Sequence, residues 1–190
     1  MNCTELLVVN NHDSFVYNII QILGKLGNRY DVVNNEDAGR VNPENYEKII
    51  ISPGPGTPLN IRDRGNVDIL LDRASEQSIL GVCFGHQLLG VRMGTGINVM
   101  EEPMHGEVDV MIHSDSPLYE GVPMKFHAVR YHSLAVSSAG DIVVDCVSES
   151  DGTIMGFHSK DMKSFGVQFH PESYYSEYGG KIISNFLEAC

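Results

Sequence analysis

SILGVCFGHQLLG, residues 78–90, is an apolar run that reaches a cysteine and passes into a helical pattern, with Gly81 and Gly85 two positions on either side of Cys83. Two readings of Cys83 are open from this stretch alone. Free cysteine is among the most buried residue types, so Cys83 can be a small core hydrophobe. Alternatively, G-x-C-x-G is the cysteine counterpart of the G-x-S-x-G nucleophile elbow. In that reading the glycines permit a cramped turn that pushes the side chain outward. A helix from about Gly85 then aims its positive end at the sulfur and favours the thiolate. The Phe84 N–H points at a developing oxyanion. In both readings a strand runs into a helix.

Working outward, ELLVVN (5–10), RYDVVNN and KIIIS read as strands. SFVYNIIQILGKLG (14–27) reads as a helix with Phe15, Ile19, Ile22, Leu23 and Leu26 on one stripe, Asp13 or Ser14 as its cap and Gly27 as its stop. DRGNVDILLDRAS and GHQLLGVRMG are further helices. Continuous Val/Ile runs alternating with amphipathic helices predict βαβ units and a parallel sheet covered on both faces. The second half changes to closely spaced strands (GEVDVMIH, MKFHAVRYHSLAVSS, DIVVDCVS, GTIMGFHSK, SFGVQFHP) that predict antiparallel pairs, before EYGGKIISNFLEA closes as a helix. The expected fold is α/β with a mixed, mostly parallel sheet. In such sheets the chemistry sits beyond the carboxyl ends of strands.

The 190 residues predict one domain, 1–190, with a sizeable core. A net charge of −12 and no basic cluster argue against nucleic acid as a partner. No run of eighteen apolar residues is present, so no membrane span is expected. The start MNCTELLVVN lacks a basic region and a cleavage site, which predicts a cytoplasmic protein. Cys3, Cys83, Cys146 and Cys190 form no C-x-x-C pair, and the eight histidines form no ligand motif, so no metal is implied.

A thiol nucleophile needs a base, and the base needs an orienting group. SFGVQFHPES supplies both: His170 at a strand end and Glu172 two residues on, where a carboxylate accepts the second imidazole N–H. His86, His105, His113, His127, His132 and His158 lack this context and read as strand, loop or core residues. SPGPGTP (52–58) follows the KIII strand, with Gly54 and Gly56 freeing backbone N–H groups for a ligand. It suits an oxyanion hole, Gly54 N–H beside Phe84 N–H, and it is not a phosphate-binding P-loop.

SPGPGTP, GVCFGHQ and GVQFHPES, in this order, resemble the class I (triad-type) glutamine amidotransferases, and the resemblance covers essentially the whole chain. NNHDSFVYNIIQ (10–21) and RYHSL (130–134) look like the anthranilate synthase amidotransferase component and its relative in p-aminobenzoate synthesis. The resemblance implies a flavodoxin-like three-layer α/β/α fold. It implies that Cys83 attacks glutamine, His170 moves the proton, Glu172 orients it, and Gly54 and Phe84 hold the oxyanion. Gly54, Pro55, Gly56, Gln87, Ser133 and Leu134 would hold glutamine. No cofactor is implied on this chain, and Mg2+ is expected on the partner, a chorismate-binding synthase subunit that receives the ammonia. Glu107 stands where the subfamily has lysine, and Tyr174 and Tyr175 where an aliphatic residue and a threonine are commoner. The alternatives are the same chemistry for p-aminobenzoate or GMP synthesis, and a stand-alone cysteine hydrolase on a flavodoxin-like fold.

Overall fold

The computed structural model describes residues 6–137 and 139–189. Cys3 and Cys190, and the expected strand ends at Glu5 and Ser138, lie outside them. Among the described residues nine strands form one sheet in the order β2-β1-β3-β4-β9-β8-β7-β5-β6. β2 (Tyr30–Asn34), β1 (Leu6–Asn10), β3 (Lys48–Ile51), β4 (Ser78–Val82) and β9 (Ser164–Val167) run parallel. β8 (Ile154–Ser159), β7 (Ile142–Ser148), β5 (Ile97–His113) and β6 (Lys125–Val136) add antiparallel.

The continuous apolar strands are buried on both faces because successive side chains alternate between them. Leu6 and Val8 join Ile50, Leu80, Phe165 and Val167 under α1 (Val16–Lys25) and α5 (Gly179–Ala189), which contribute Ile19, Leu23, Ile182 and Phe186. Leu7 and Val9 join Ile49 and Ile51 on the other face, under α3 (Val67–Leu71) and α4 (Phe84–Arg92), which contribute Val67, Leu70, Phe84 and Leu88. These are the three layers of a flavodoxin-like α/β fold.

Four details depart from the sequence reading. The helix expected over DRGNVDILLDRAS divides into α2 (Ile61–Arg64) and α3, because Gly65 between them takes φ +57° and cannot continue an α-helix. α1 has no side-chain cap: Asp13 Oδ1 accepts the Phe15 N–H at 2.7 Å, ahead of the helix. Val16 takes the core place expected for Phe15, Leu26 is exposed, and the Phe15 ring instead packs on Tyr131 and His170. β9 stops at Val167, and His170 makes its own bridge to Val129 of β6.

Ile50 is fully buried at the middle of the parallel half. Ile50→Ala should lower unfolding free energy by about 2–5 kcal/mol. Urea unfolding checks this, with a lower midpoint and an unchanged slope expected.

Candidate active site

Cys83 sits between β4 and α4 with φ +51° and ψ −98°, a left-handed conformation that is strained for a residue with a Cβ. Its N–H donates to Val167 O at 2.8 Å, and its carbonyl accepts the Gln87 N–H at 3.0 Å. The two glycines are sterically required. A Cβ on Gly81 would lie 2.4 Å from the Gly85 carbonyl, and one on Gly85 would lie 2.3 Å from Ile51 O. Phe84 is the first residue of α4, so its N–H is one of the helix's unsatisfied amino-terminal donors.

His170 and Glu172 are both buried, and His170 Nδ1 lies 2.6 Å from Glu172 Oε1. Phe15 and Tyr131 pack edge-on against the imidazole at 5.4 and 5.2 Å. Ser176 Oγ donates to the His170 carbonyl at 2.6 Å, fixing the turn that carries the ring. Burial works against the imidazolium. The nearby Cys83 sulfur and the Glu172 carboxylate, which is hydrogen-bonded to the ring, outweigh it, so His170 is raised well above the ordinary histidine range. The fold thus pairs His170 with Glu172 near the Cys83 sulfur and leaves His170 Nε2 buried without a hydrogen-bond partner among the described residues.

A cavity of about 200 Å³ opens at Cys83, lined by Gly54, Pro55, Gly56, Phe84, Gln87, Tyr131, His132, Ser133 and Leu134. Every residue expected to hold glutamine or the oxyanion lies on its wall. A larger hollow, about 650 Å³ along His113–Val122, contains none of them, so volume does not locate the chemistry. The 52–56 loop is tied to β1 by Asn11, whose N–H donates to Ser52 Oγ and whose Nδ2 donates to Ser52 O, each at 2.9 Å.

Sequence reasoning passed over Tyr131, His132, Arg130 and Gln168. Arg130 is fully buried and donates to Asp109 and Asp151 at 2.7 and 2.8 Å, and to His132 Nε2 through Nε at 3.1 Å. A guanidinium only donates, so His132 Nε2 must accept, and Nδ1 carries the proton that it gives to Leu134 O at 3.0 Å. His132 is pushed down to about 4, first by burial and then by the Arg130 charge. RYHSL and GVQFHPES contained these residues, but only their spacing in space reveals their partners. His86 is a core histidine against Phe157, as expected, and burial lowers it to about 3.

A family model for class I glutamine amidotransferases matches residues 7–190. The chain belongs to that family, enzymes that hydrolyse glutamine. It is 41% identical over 191 residues to an anthranilate synthase component 2 of Saccharolobus solfataricus, covering 95% of this chain and 96% of the relative. It is also 41% identical over 193 residues to an anthranilate synthase component 2 of Thermus thermophilus, covering 97% and 92%. Among solved structures, a glutamine amidotransferase of Thermotoga maritima shares the fold with a TM-score of 0.76 at 16% identity, covering 100% of this chain and 83% of that one. Among the described residues no helix is long and apolar enough to cross a membrane.

The buried histidines set an acid limit. His86 and His132 stay neutral in the folded chain down to about 3 and 4, whereas unfolded histidine gains a proton near 6.5. Between these values the unfolded state binds more protons, so stability is lost as pH falls below about 6.5. Asp145, raised to about 6 chiefly by burial, opposes this below pH 6 but accounts for one proton against two. The His170 contribution is already complete below pH 6.5, since its shift is upward. His86→Met should flatten the acid slope by one proton, about 1.4 kcal/mol per pH unit. Urea unfolding between pH 6.5 and 5 measures it.

Proposed function

We propose that this chain is the ammonia-producing subunit of an anthranilate synthase, with Cys83 as its nucleophile. The observation that carries the catalytic part is the buried His170–Glu172 pair near Cys83, whose side chain lines the Gly54–Gly56 and Tyr131–Leu134 cavity. The names of the two relatives support the anthranilate assignment.

In this scheme the Cys83 thiolate attacks the side-chain carboxamide carbon of L-glutamine. The carbonyl oxygen becomes an oxyanion held by the Gly54 and Phe84 N–H groups. His170, protonated, gives its proton to the leaving nitrogen, and ammonia departs as the C–N bond breaks and a thioester remains. Water then attacks the thioester while His170 takes its proton. The C–S bond breaks, releasing glutamate and restoring the thiolate–imidazolium pair. Glu172 holds the ring and offsets its charge throughout. Gly54, Pro55, Gly56, Gln87, Ser133 and Leu134 form the walls that hold glutamine. Leu134 contributes less than its place suggests, since its carbonyl already accepts from Gln87 Nε2 at 2.9 Å and from His132.

Free ammonia in neutral water is mostly protonated and unreactive, so delivery to a chorismate-binding synthase subunit through a closed passage fits the chemistry. Tyr174 and Tyr175, 93% and 69% exposed just past Glu172 in the chain, are the residues we assign to contact with such a partner. No cofactor acts on this chain in the scheme, and Mg2+ belongs to the synthase.

Cys83→Ala tests the reading in the complex with the chorismate-binding synthase of the same organism. Glutamine-dependent anthranilate formation should fall by on the order of 10³-fold or more. Anthranilate formation from added ammonium at alkaline pH should persist. Retained glutamine-dependent activity would remove Cys83 as nucleophile, and p-aminobenzoate as the product would replace the acceptor.

A further inference from the structure

Gln168 is fully buried one residue beyond β9, and its Nε2 lies 3.6 Å from the Cys83 sulfur. Its Oε1 lies 3.0 Å from Gln87 Nε2, which is also 2.9 Å from Leu134 O. These contacts settle the orientation of both amides. A backbone carbonyl only accepts, so Gln87 must turn its NH2 towards Leu134 O. The second Gln87 N–H then points at Gln168, which must answer with oxygen. That leaves the Gln168 NH2 facing the sulfur. Reversing Gln87 would set its oxygen against the Leu134 carbonyl, two acceptors, and reversing Gln168 would set its NH2 against that of Gln87, two donors.

The Leu134 carbonyl is held from its other side by His132 Nδ1–H, and His132 by the Arg130 Nε–H. Arg130 is itself clamped by Asp109 and Asp151. Hydrogen bonds thus link a buried, ion-paired guanidinium to the nucleophile.

We propose that Gln168 is a catalytic residue that donates an N–H to the Cys83 sulfur and stabilises it as the thiolate. This rests on the reading of Cys83 as the nucleophile. In the thiol form the sulfur has a different partner, the Tyr131 carbonyl at 3.9 Å, which S–H can reach as a donor. Ionisation exchanges this bond for acceptance from Gln168. The same N–H receives the sulfur when the thioester breaks, and no bond to Gln168 is made or broken. The titratable groups around the sulfur are His170, with Glu172 behind it, from the segment after β9, and Tyr131 and His132 from β6. α4 brings His86, packed on Phe157.

Gln168→Glu keeps an oxygen for Gln87 and replaces the donor with a carboxylate oxygen. Gln168→Met keeps the bulk and removes both groups. The first readout is the rate of iodoacetamide alkylation at Cys83 against pH, with peptide mass spectrometry separating Cys83 from Cys3, Cys146 and Cys190. The midpoint should rise by about one pH unit in Gln168→Met and further in Gln168→Glu. In the complex with the synthase, kcat should fall at least about tenfold, with KM for glutamine changed far less.

A wild-type measurement does not depend on either variant folding. The side-chain 15N–H resonance of Gln168 should titrate with Cys83 and stop titrating once Cys83 is alkylated. Unchanged alkylation midpoints in folded variants, or a Gln168 resonance indifferent to Cys83, would overturn the proposal. Failure of added L-glutamine to slow Cys83 alkylation in the wild-type protein would instead sink the glutaminase reading, and the midpoints would still report on Gln168.

Discussion

The arrangement depends on one cramped turn. Cys83 is held at φ +51°, a conformation that costs about 1–3 kcal/mol for a non-glycine residue. It persists because its surroundings leave no alternative. Its N–H is committed to Val167 O, the first turn of α4 closes on its carbonyl, and Gly85 presses on the backbone of Ile51. Three neighbouring parallel strands, β3, β4 and β9, therefore meet at the nucleophile. The loop after β3 supplies one wall of the cavity, and the chain leaving β9 supplies Gln168, His170 and Glu172. Burial of Ile50, Leu80 and Val167 on one face maintains this convergence.

The same region holds three histidines in different states, each explained by what surrounds it. His86 lies against Phe157 in the core, and desolvation keeps it neutral. His132 is neutral because it is buried and must accept from a permanent cation. His170 is just as buried, yet it faces a sulfur and a carboxylate, and these reverse the effect of desolvation. Divergent environments for like groups assign their roles: one imidazole suited to moving protons, another suited to holding a carbonyl in place.

The antiparallel half contributes more than an edge to the sheet. Arg130 joins Asp109 on β5 to Asp151 and Ser148 at the β7–β8 turn, and donates through Nε to His132. A guanidinium with no exposure is stable there only while its carboxylates remain in place. The ion group therefore fixes the register of the strand that presents Tyr131, Ser133 and Leu134. Charges remote from the sulfur thereby set the wall opposite the elbow.

The alternation of apolar runs with amphipathic helices determined the layered α/β fold, because a strand buried on both faces needs continuous Val/Ile/Leu whatever its neighbours are. The elbow was equally legible, since glycines on both sides of a cysteine encode a local steric requirement. His170 and Glu172 were readable because they are two residues apart. Local rules failed at DRGNVDILLDRAS, where Gly65 adopts a backbone conformation that residue periodicity does not encode. They failed at Phe15 too, whose ring leaves the α1 stripe for His170. Arg130 and Gln168 looked like ordinary strand residues because their partners lie 21, 81 or 85 positions away along the chain, and His132 did so because it is held by a buried cation on its own strand and by a backbone carbonyl. Hydrogen bonds and ion pairs of that kind depend on distances of about 3 Å that only the completed sheet brings about.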